Sequence, residues 1–528
     1  MVCGAGPVGL TAAVLLAARG VAVSVLEQHE TTSDEPKAIS LDDEALRGFQ
    51  QAGIADRVLS VVVPGTGTLY HDRHGEPLFH ARGSAPFRLG YPIKNPFAQP
   101  DLERVLADVL AESPNAQLTF GARVVDLDQQ PDHIDVVAST PAGRTTLRAS
   151  YLLGCDGGRS VTRTHQGVGM TGRNHDDLWL VVDTLDDPHT ERFAMHYGEP
   201  SRPHVVVPGA GGRCRYEFRL FADEGIPGKS PSFDLVERLV SRYRSITPQQ
   251  LERAVVYRFN AVVANQWMIG RSFLLGDAAH MMPPFAGQGL NSGLRDAINL
   301  TWKIADVLAG RLAPSALETY ETERLPHALA TVRLSQRLGR LVMATQPRLA
   351  RARDRAVSNA LSTEQGRAFL EEMRYRPPQR YYRGLVVPGS PGPTGVMVGQ
   401  PLVFDTGVHL LRRLDTALGP GWAVLGVEVG EAAWAVHADR VVEAFGAVAV
   451  TVDLTEHLPR TARRVLLDVD GDLRREFADY LGMFVLLRPD RIVAAVWHPG
   501  EAARITGKLL TWTTGNATPT PERAVSHG

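Results

Sequence analysis

Apolar and polar positions follow helical and strand periods along most of the chain, and the opening segment is the densest. Residues 7–18 are largely apolar and predict a helix, which Gly20 stops. Residues 21–26 are apolar and rich in β-branched side chains, the composition of a parallel strand buried on both faces. Leu102, Val105, Leu106 and Val109 share one face and predict a helix over 101–112. Residues 123–139 read as two strands around a polar turn, and 145–155 as one further strand ending at Cys155. From about 172 to 263 the pattern becomes strand-rich and predicts a separate, mostly antiparallel sheet. Residues 272–280 read as a short apolar strand running into a turn, and 290–310 as a long helix carrying Leu294, Ile298, Leu300, Trp302 and Ile304. Residues 315–383 read as helical and Arg-rich, with 348–355 a solvated basic face. Pro and Gly break the pattern at 386–398, a linker signal. A βαβ-like alternation through 421–497 predicts a small α/β domain, and the polar tail from about 511 reads as frayed. No internal repeat or long low-complexity segment occurs.

With 528 residues the chain is too long for one ordinary core, and two or three domains are expected. A net charge of −2 gives no electrostatic case for nucleic acid or an anionic membrane surface. No apolar run approaches the roughly 20 residues that span a bilayer. Cys3, Cys155 and Cys214 are far apart and lack a C-x-x-C spacing, which argues against a disulfide framework and against zinc. Each reads as a small buried hydrophobe. No metal is expected, and a cytoplasmic location is.

The candidate chemistry begins at the first turn. Gly4, Gly6 and Gly9 hold the G-x-G-x-x-G spacing between strand and helix, and Glu27 closes the second strand. Gly4 permits the tight turn, Gly6 a close approach to a pyrophosphate, and Gly9 close packing of helix on strand. The helix then presents its N–H groups and positive dipole end to the phosphates, and Glu27 accepts a ribose hydroxyl. This combination predicts dinucleotide binding. Only Met1, Val2 and Cys3 precede Gly4, so the first strand reads short, either because the frame begins a few residues late or because the strand is weak. Two further stretches, 155–163 and 274–303, each combine a strand end, a glycine turn, an aspartate and a helix start. Asp277 can accept hydroxyl hydrogen bonds from a sugar-like chain. The segment after Pro283 delivers N–H groups at a helix N-terminus, which stabilise negative charge developing on a ring.

With G-x-G-x-x-G (Gly4–Gly9), D-G-x-x-S-x-x-R (Asp156, Gly157, Ser160, Arg163) and G-D-A-A-H (Gly276–His280) in order, the chain resembles the para-hydroxybenzoate hydroxylase family of FAD-dependent aromatic monooxygenases (group A). The resemblance covers 1–390 well and the rest more loosely. Within the family the stretches 97–103, 178–183, 215–220 and 283–303 look most like the 3-(3-hydroxyphenyl)propionate hydroxylase branch.

The resemblance implies an α/β fold: a Rossmann-like FAD-binding domain, an inserted β-rich substrate domain and a C-terminal thioredoxin-like domain. The expected division is 1–75, 98–171 and 264–385 for the FAD-binding domain and its helical region. The substrate domain takes 76–97 and 172–263, the linker 386–398, and the thioredoxin-like domain 399–528. That last domain has no C-x-x-C, so no redox role is expected of it. Gly4, Gly6 and Gly9 would cradle the pyrophosphate, Glu27 the adenosine ribose, and Gln99 and Asp277 the ribityl and pyrophosphate region. Asp156 and Arg163 belong to the motif linked to both FAD and NAD(P)H. Pro283 and the backbone of Gly289, Leu290 and Asn291 would face the isoalloxazine ring. Pro7, Val8, Gln28, Lys37, Val124, Gly157, Gly276, Pro284 and Gly287 complete the cofactor-binding set. In place of the branch's usual Pro-Arg-Ala the chain has Pro36, Lys37 and Ala38, which keeps the charge and loses the fork of donors.

The same resemblance implies that NADH or NADPH reduces the FAD, that dioxygen forms a flavin C4a-hydroperoxide, and that a phenolic aromatic takes the distal oxygen. No catalytic side chain is singled out. His196, Tyr216 and Phe218 are the candidate substrate contacts, and His280 reads as a packing histidine rather than a base. The plainer readings are a turn former for Asp156 and Asp277 and a solvated charge for Arg163. Two alternatives stand beside hydroxylation of a small phenol: hydroxylation or Baeyer–Villiger tailoring of a polycyclic aromatic natural product, and a flavin-binding protein without turnover. The partner is a small aromatic molecule, with no nucleic acid or membrane, and the chain is expected to be a monomer or homodimer.

Overall fold

The computed structural model describes residues 1–514 apart from Pro36, Pro64, Thr66, Ser84, Ala222 and 456–462. Most of the tail read as frayed therefore lies outside the described residues, as does Pro36 of the 36–38 stretch. The part of the tail that is described is helical, within Ala502–Thr514. The chain divides into two compact units, one of residues 1–301 and 324–378, the other of 302–323 and 379–528.

The first unit is built on a six-stranded sheet in the order Met268–Ile269, Ser272–Leu274, Leu152–Gly154, Val2–Cys3, Val23–Leu26, Ala116–Thr119. All pairs but the first are parallel. Val2–Cys3 is two residues long yet central, with Val2 registered on Leu153 and on Val25. The helix Pro7–Ala17 is buried from Gly9 onward, which explains its nearly uniform apolar composition. The antiparallel strands Arg123–Gln129, Ile134–Thr140 and Gly143–Ala149 form a three-stranded sheet. Ile134, Val136 and Ala138 of that sheet pack against Cys3, Leu26 and Leu152.

The single strand expected at 145–155 is two. Gly143–Ala149 is largely exposed and belongs to the antiparallel sheet, whereas Leu152–Gly154 is wholly buried in the parallel one. The change of sheet falls at Ser150 and Tyr151.

The strand-rich segment forms an eight-stranded sheet, ordered His280–Met281, Leu251–Ala264, Met170–Thr184, Cys214–Leu220, His204–Pro208, Ala194–Tyr197, Thr68–His71, Pro77–Ala81. Thr68–His71 runs parallel to Ala194–Tyr197, so both arms of the 68–81 hairpin belong here, on either side of the expected 75/76 division. Alternation along Cys214–Leu220 gives the sheet two unlike faces. Cys214, Tyr216, Phe218 and Leu220 pack into one core with the helix Phe233–Val240, which turns Arg215 and Glu217 to the opposite face.

The second unit is a seven-stranded sheet with Ala423–Val427, Val448–Asp453 and Val465–Asp468 parallel at its centre and Met483–Leu487 and Val493–Trp497 as an antiparallel edge, a thioredoxin-like arrangement. Successive residues of these strands serve two apolar cores, Val424, Leu486 and Trp497 in one, Leu425, Val485 and Val493 in the other. The stretch read as linker is tied into this unit, with Val387 N–H donating to Ala494 O and Val493 N–H to Val396 O. Glu323, Lys303, Arg488 and Asp490 form a fully buried ion network in the same unit.

Candidate active site

A cleft of about 840 Å³ lies within the first unit, in the range that holds cofactors and drug-sized ligands. Two helix N-termini open into it, those of Pro7–Ala17 and Gly289–Leu308, and neither carries an acidic residue in its first turn. Both therefore turn the first-turn backbone and the positive end of a helix dipole, with no acidic side chain against it, toward the same space. The Gly287 backbone turns left-handed (φ 61°) just ahead of the second helix. Asn291 fixes that end by donating to Ser40 O and Gly287 O and accepting from Asp42 N–H. A Cβ on Gly6 would meet no atom within 4 Å, so the chain leaves this side of the turn open. On Gly9 a Cβ would run into the Gly4 carbonyl oxygen. The two glycines thus do different work: one keeps space for a ligand, the other lets the helix pack.

Carboxylates mark the length of the cleft. Glu27 accepts Ala5 N–H at 2.7 Å and His29 N–H at 2.9 Å, which holds it beside the glycine turn. Gln99 is buried, accepts Ala38 N–H and donates to Glu103. Asp277 is open to the cleft and has no side-chain hydrogen bond among the described residues; the enclosing protein pushes its carboxyl above the usual range. A carboxylate with free acceptor positions, two helix N-termini and an open glycine turn suit a pyrophosphate and a polyhydroxylated chain, so the residues fit FAD.

The D-G-x-x-S-x-x-R stretch is knotted within itself and tied to the 276–280 turn. Asp156 accepts from Ser160 Oγ and Thr162 N–H, Ser160 Oγ accepts from Arg163 N–H, and Arg163 donates to Gly158 O and Ala278 O. His280 is fully buried behind the turn, with Nε2 2.7 Å from Asp296, which also pairs with Arg324 at 2.9 Å.

Most of the expected site residues line the cleft, Glu27, Lys37, Val124, Asp156, Asp277 and His196 among them; Gly9, Arg163, Pro283, Tyr216 and Phe218 do not. The substrate expectation for Tyr216 and Phe218 is corrected: both side chains are buried in the core on the other face of the sheet, and Tyr216 Oη donates to Asp187. Their neighbours Arg215 and Glu217 face the cleft instead. Alternation in 213–221 puts Arg215 and Glu217 on the face opposite Tyr216 and Phe218, but it does not say which face meets the cleft. Arg215 grips Asp183 with two N–H groups and donates to Lys37 O, bracing the loop whose Lys37 side chain is exposed. Tyr70, Lys94, Tyr375 and Arg376 also line the cleft, from loops and strands with no local signature. His196 is held neutral by burial, with Lys94 and His71 adding to the effect.

Asp187, His189 and Cys214 come close enough to hold a metal. Asp187 already accepts from His189, Thr184, Tyr216 and Arg244, which accounts for its carboxylate as a hydrogen-bond hub. No helix among the described residues is long and apolar enough to cross a membrane.

Comparison with known proteins bears on this geometry. An FAD binding domain family model matches residues 1–335, and an HcaD C-terminal domain model matches 395–512. A 3-(3-hydroxyphenyl)propionate/3-hydroxycinnamic acid hydroxylase of Mycolicibacterium gilvum is 34% identical over all of this chain and 96% of its own length. One from Mycobacterium sp. strain KMS is 36% identical over all of this chain and 94% of its own. The crystal structure of aklavinone-11 hydroxylase with FAD and aklavinone shares the fold, with a TM-score of 0.79, 24% identity and 98% of each chain covered. The chain belongs to the para-hydroxybenzoate hydroxylase family of FAD-dependent aromatic monooxygenases and groups within it with the 3-(3-hydroxyphenyl)propionate hydroxylase branch.

Proposed function

We propose that the chain holds FAD in this cleft, draws electrons from NADH or NADPH, and places one oxygen atom of dioxygen on a phenolic aromatic such as 3-(3-hydroxyphenyl)propionate. The observation that carries this reading is the convergence of two helix N-termini, neither with an acidic residue in its first turn, on a cleft whose lining also includes Tyr70, His196, Lys94 and Glu217. When bound, FAD supplies hydride acceptance and the activation of dioxygen that no side chain offers. The turn at Gly4–Gly9 and the helix behind it would receive the pyrophosphate, Glu27 the ribose, and Asp277 and Gln99 the ribityl region. The N–H groups of Gly289, Leu290 and Asn291 would stabilise negative charge on the ring. Met282, Phe285 and Leu338 give the cleft an apolar wall that would help keep water from the reacting atoms once cofactor and substrate fill it.

The test is direct. The purified chain should show a flavin absorption spectrum near one FAD per chain. NADH or NADPH oxidation should rise on adding phenols, with a product one oxygen atom heavier. A ring-hydroxylated product separates this reading from oxygen insertion beside a ketone. Bound flavin with no stimulation by any aromatic would leave a flavin-binding protein without turnover.

A further inference from the structure

Lys94 sits just ahead of the short strand Asn95–Pro96 and reaches into the cleft. Its Nζ donates to the hydroxyl of Thr68 at 2.5 Å, a neutral partner, and it forms no ion pair among the described residues. The charged and titratable groups around it are Arg376, Glu217 and His196. Arg376 is committed to Asp42 at 2.9 Å. Glu217 also lines the cleft, has no hydrogen bond among the described residues, and lies 3.9 Å from Arg215. Arg215 itself is spent on Asp183. Lys94 is thus a half-buried cation in the cleft with no carboxylate within ion-pair distance among the described residues, Glu217 acting on it only from farther off, an arrangement that leaves its ammonium open to an anionic ligand. Burial and the nearby Arg376 push its ammonium down to about 8, so it still carries its charge at neutral pH.

We infer that Lys94 determines substrate specificity, its ammonium receiving an oxyanion of the aromatic substrate. This rests on the reading of the cleft as a flavin and aromatic-substrate site. The oxyanion is a side-chain carboxylate or the phenolate, which share the chemistry of a compact anionic oxygen acceptor on an ammonium.

The experiment measures dissociation constants on FAD-loaded protein, by quenching of flavin fluorescence, for three probes. They are 3-(3-hydroxyphenyl)propionate, 3-phenylpropionate without the hydroxyl, and 3-propylphenol without the carboxylate. The proteins are wild type, Lys94→Met and Lys94→Arg, with FAD content confirming that each variant is folded. The expected result is at least an about ten-fold weaker binding in Lys94→Met, largely restored in Lys94→Arg, for the probes that carry the recognised anion. Loss shared by the two carboxylates and absent for 3-propylphenol names the carboxylate. Loss shared by the two phenols and absent for 3-phenylpropionate names the phenolate. Unchanged affinities, or equal losses for all three probes, overturn the inference while leaving the functional reading intact. A wild-type protein that retains FAD and binds none of the three overturns both.

Discussion

Arg163 donates one guanidinium N–H to the carbonyl oxygen of Ala278 at 3.0 Å, while another reaches Gly158 O at 2.8 Å. That bridge joins two of the three motifs, which are more than a hundred residues apart. The third is joined by packing. A Cβ on Gly4 would stand 2.6 Å from Cys155 O, and one on Gly276 would stand 3.1 Å from Val8. The three motifs are therefore one interlocked floor beneath the cleft, and each constrains the position of the others.

Arg163→Met should lower stability by about 2 kcal/mol, since two charge-assisted hydrogen bonds to carbonyls are lost at a half-buried site. FAD retention should fall with it. Arg163→Lys should not restore either, because an ammonium cannot span both carbonyls. Urea denaturation with flavin content as a second readout checks this, and full rescue by lysine would refute the bridging role.

Gly6→Ala and Gly9→Ala should fail differently. Gly6 has φ −72° and open space at its Cβ position, so alanine there leaves the apoprotein as stable as wild type but intrudes where the pyrophosphate approaches. FAD affinity should drop about ten-fold or more, roughly 1.4 kcal/mol. Gly9→Ala forces the helix off the Gly4 carbonyl and should lower apoprotein stability by about 1–3 kcal/mol. Apoprotein melting beside FAD titration separates the two; equal melting losses would contradict the assignment.

Asp296→Asn should destabilise by about 3–5 kcal/mol, because it leaves the buried Arg324 guanidinium without its carboxylate. Against the upward push of burial, His280 and Arg324 hold the Asp296 carboxyl below its usual value. Its stabilising contribution is therefore complete above the ordinary carboxyl range and disappears as pH falls through the depressed folded value. Wild type should lose stability toward acid more steeply than Asp296→Asn. Denaturation midpoints from roughly pH 3 to roughly pH 7, spanning the ordinary carboxyl pKa of about 4, provide the comparison.

Tyr216→Phe and Glu217→Gln test the two faces of one strand. Tyr216→Phe should cost about 1 kcal/mol of stability through the lost bond to Asp187 and leave KM for the aromatic unchanged. Glu217→Gln should alter KM with little change in stability, since Glu217 makes no hydrogen bond among the described residues. Steady-state kinetics with thermal melts decide, and a KM effect at Tyr216 would place the substrate elsewhere.

Much of the site is legible locally. The glycine turn, the two helix starts and the aspartates at the turns are specified within a few residues each, because phosphate-binding turns depend on short-range backbone geometry. The strand-rich middle is legible as a class, but not its register. Tyr216 and Phe218 are misplaced by the local pattern for that reason: period two locates a face without saying which face meets the cleft. Residues 145–155 read as one strand because burial changes along them only through their partners.

The sequence by itself determined the dinucleotide turn, its helices and the order of the three motifs, since those follow from glycine conformational freedom and helix periodicity. Tertiary structure alone decided that Arg163 reaches Ala278, that Arg215 and Glu217 rather than Tyr216 and Phe218 line the cleft, and that Lys94 stands there without an ion pair among the described residues. Each depends on contacts between segments far apart in the chain, and the free energy of such contacts is written in burial and register, which no local pattern carries.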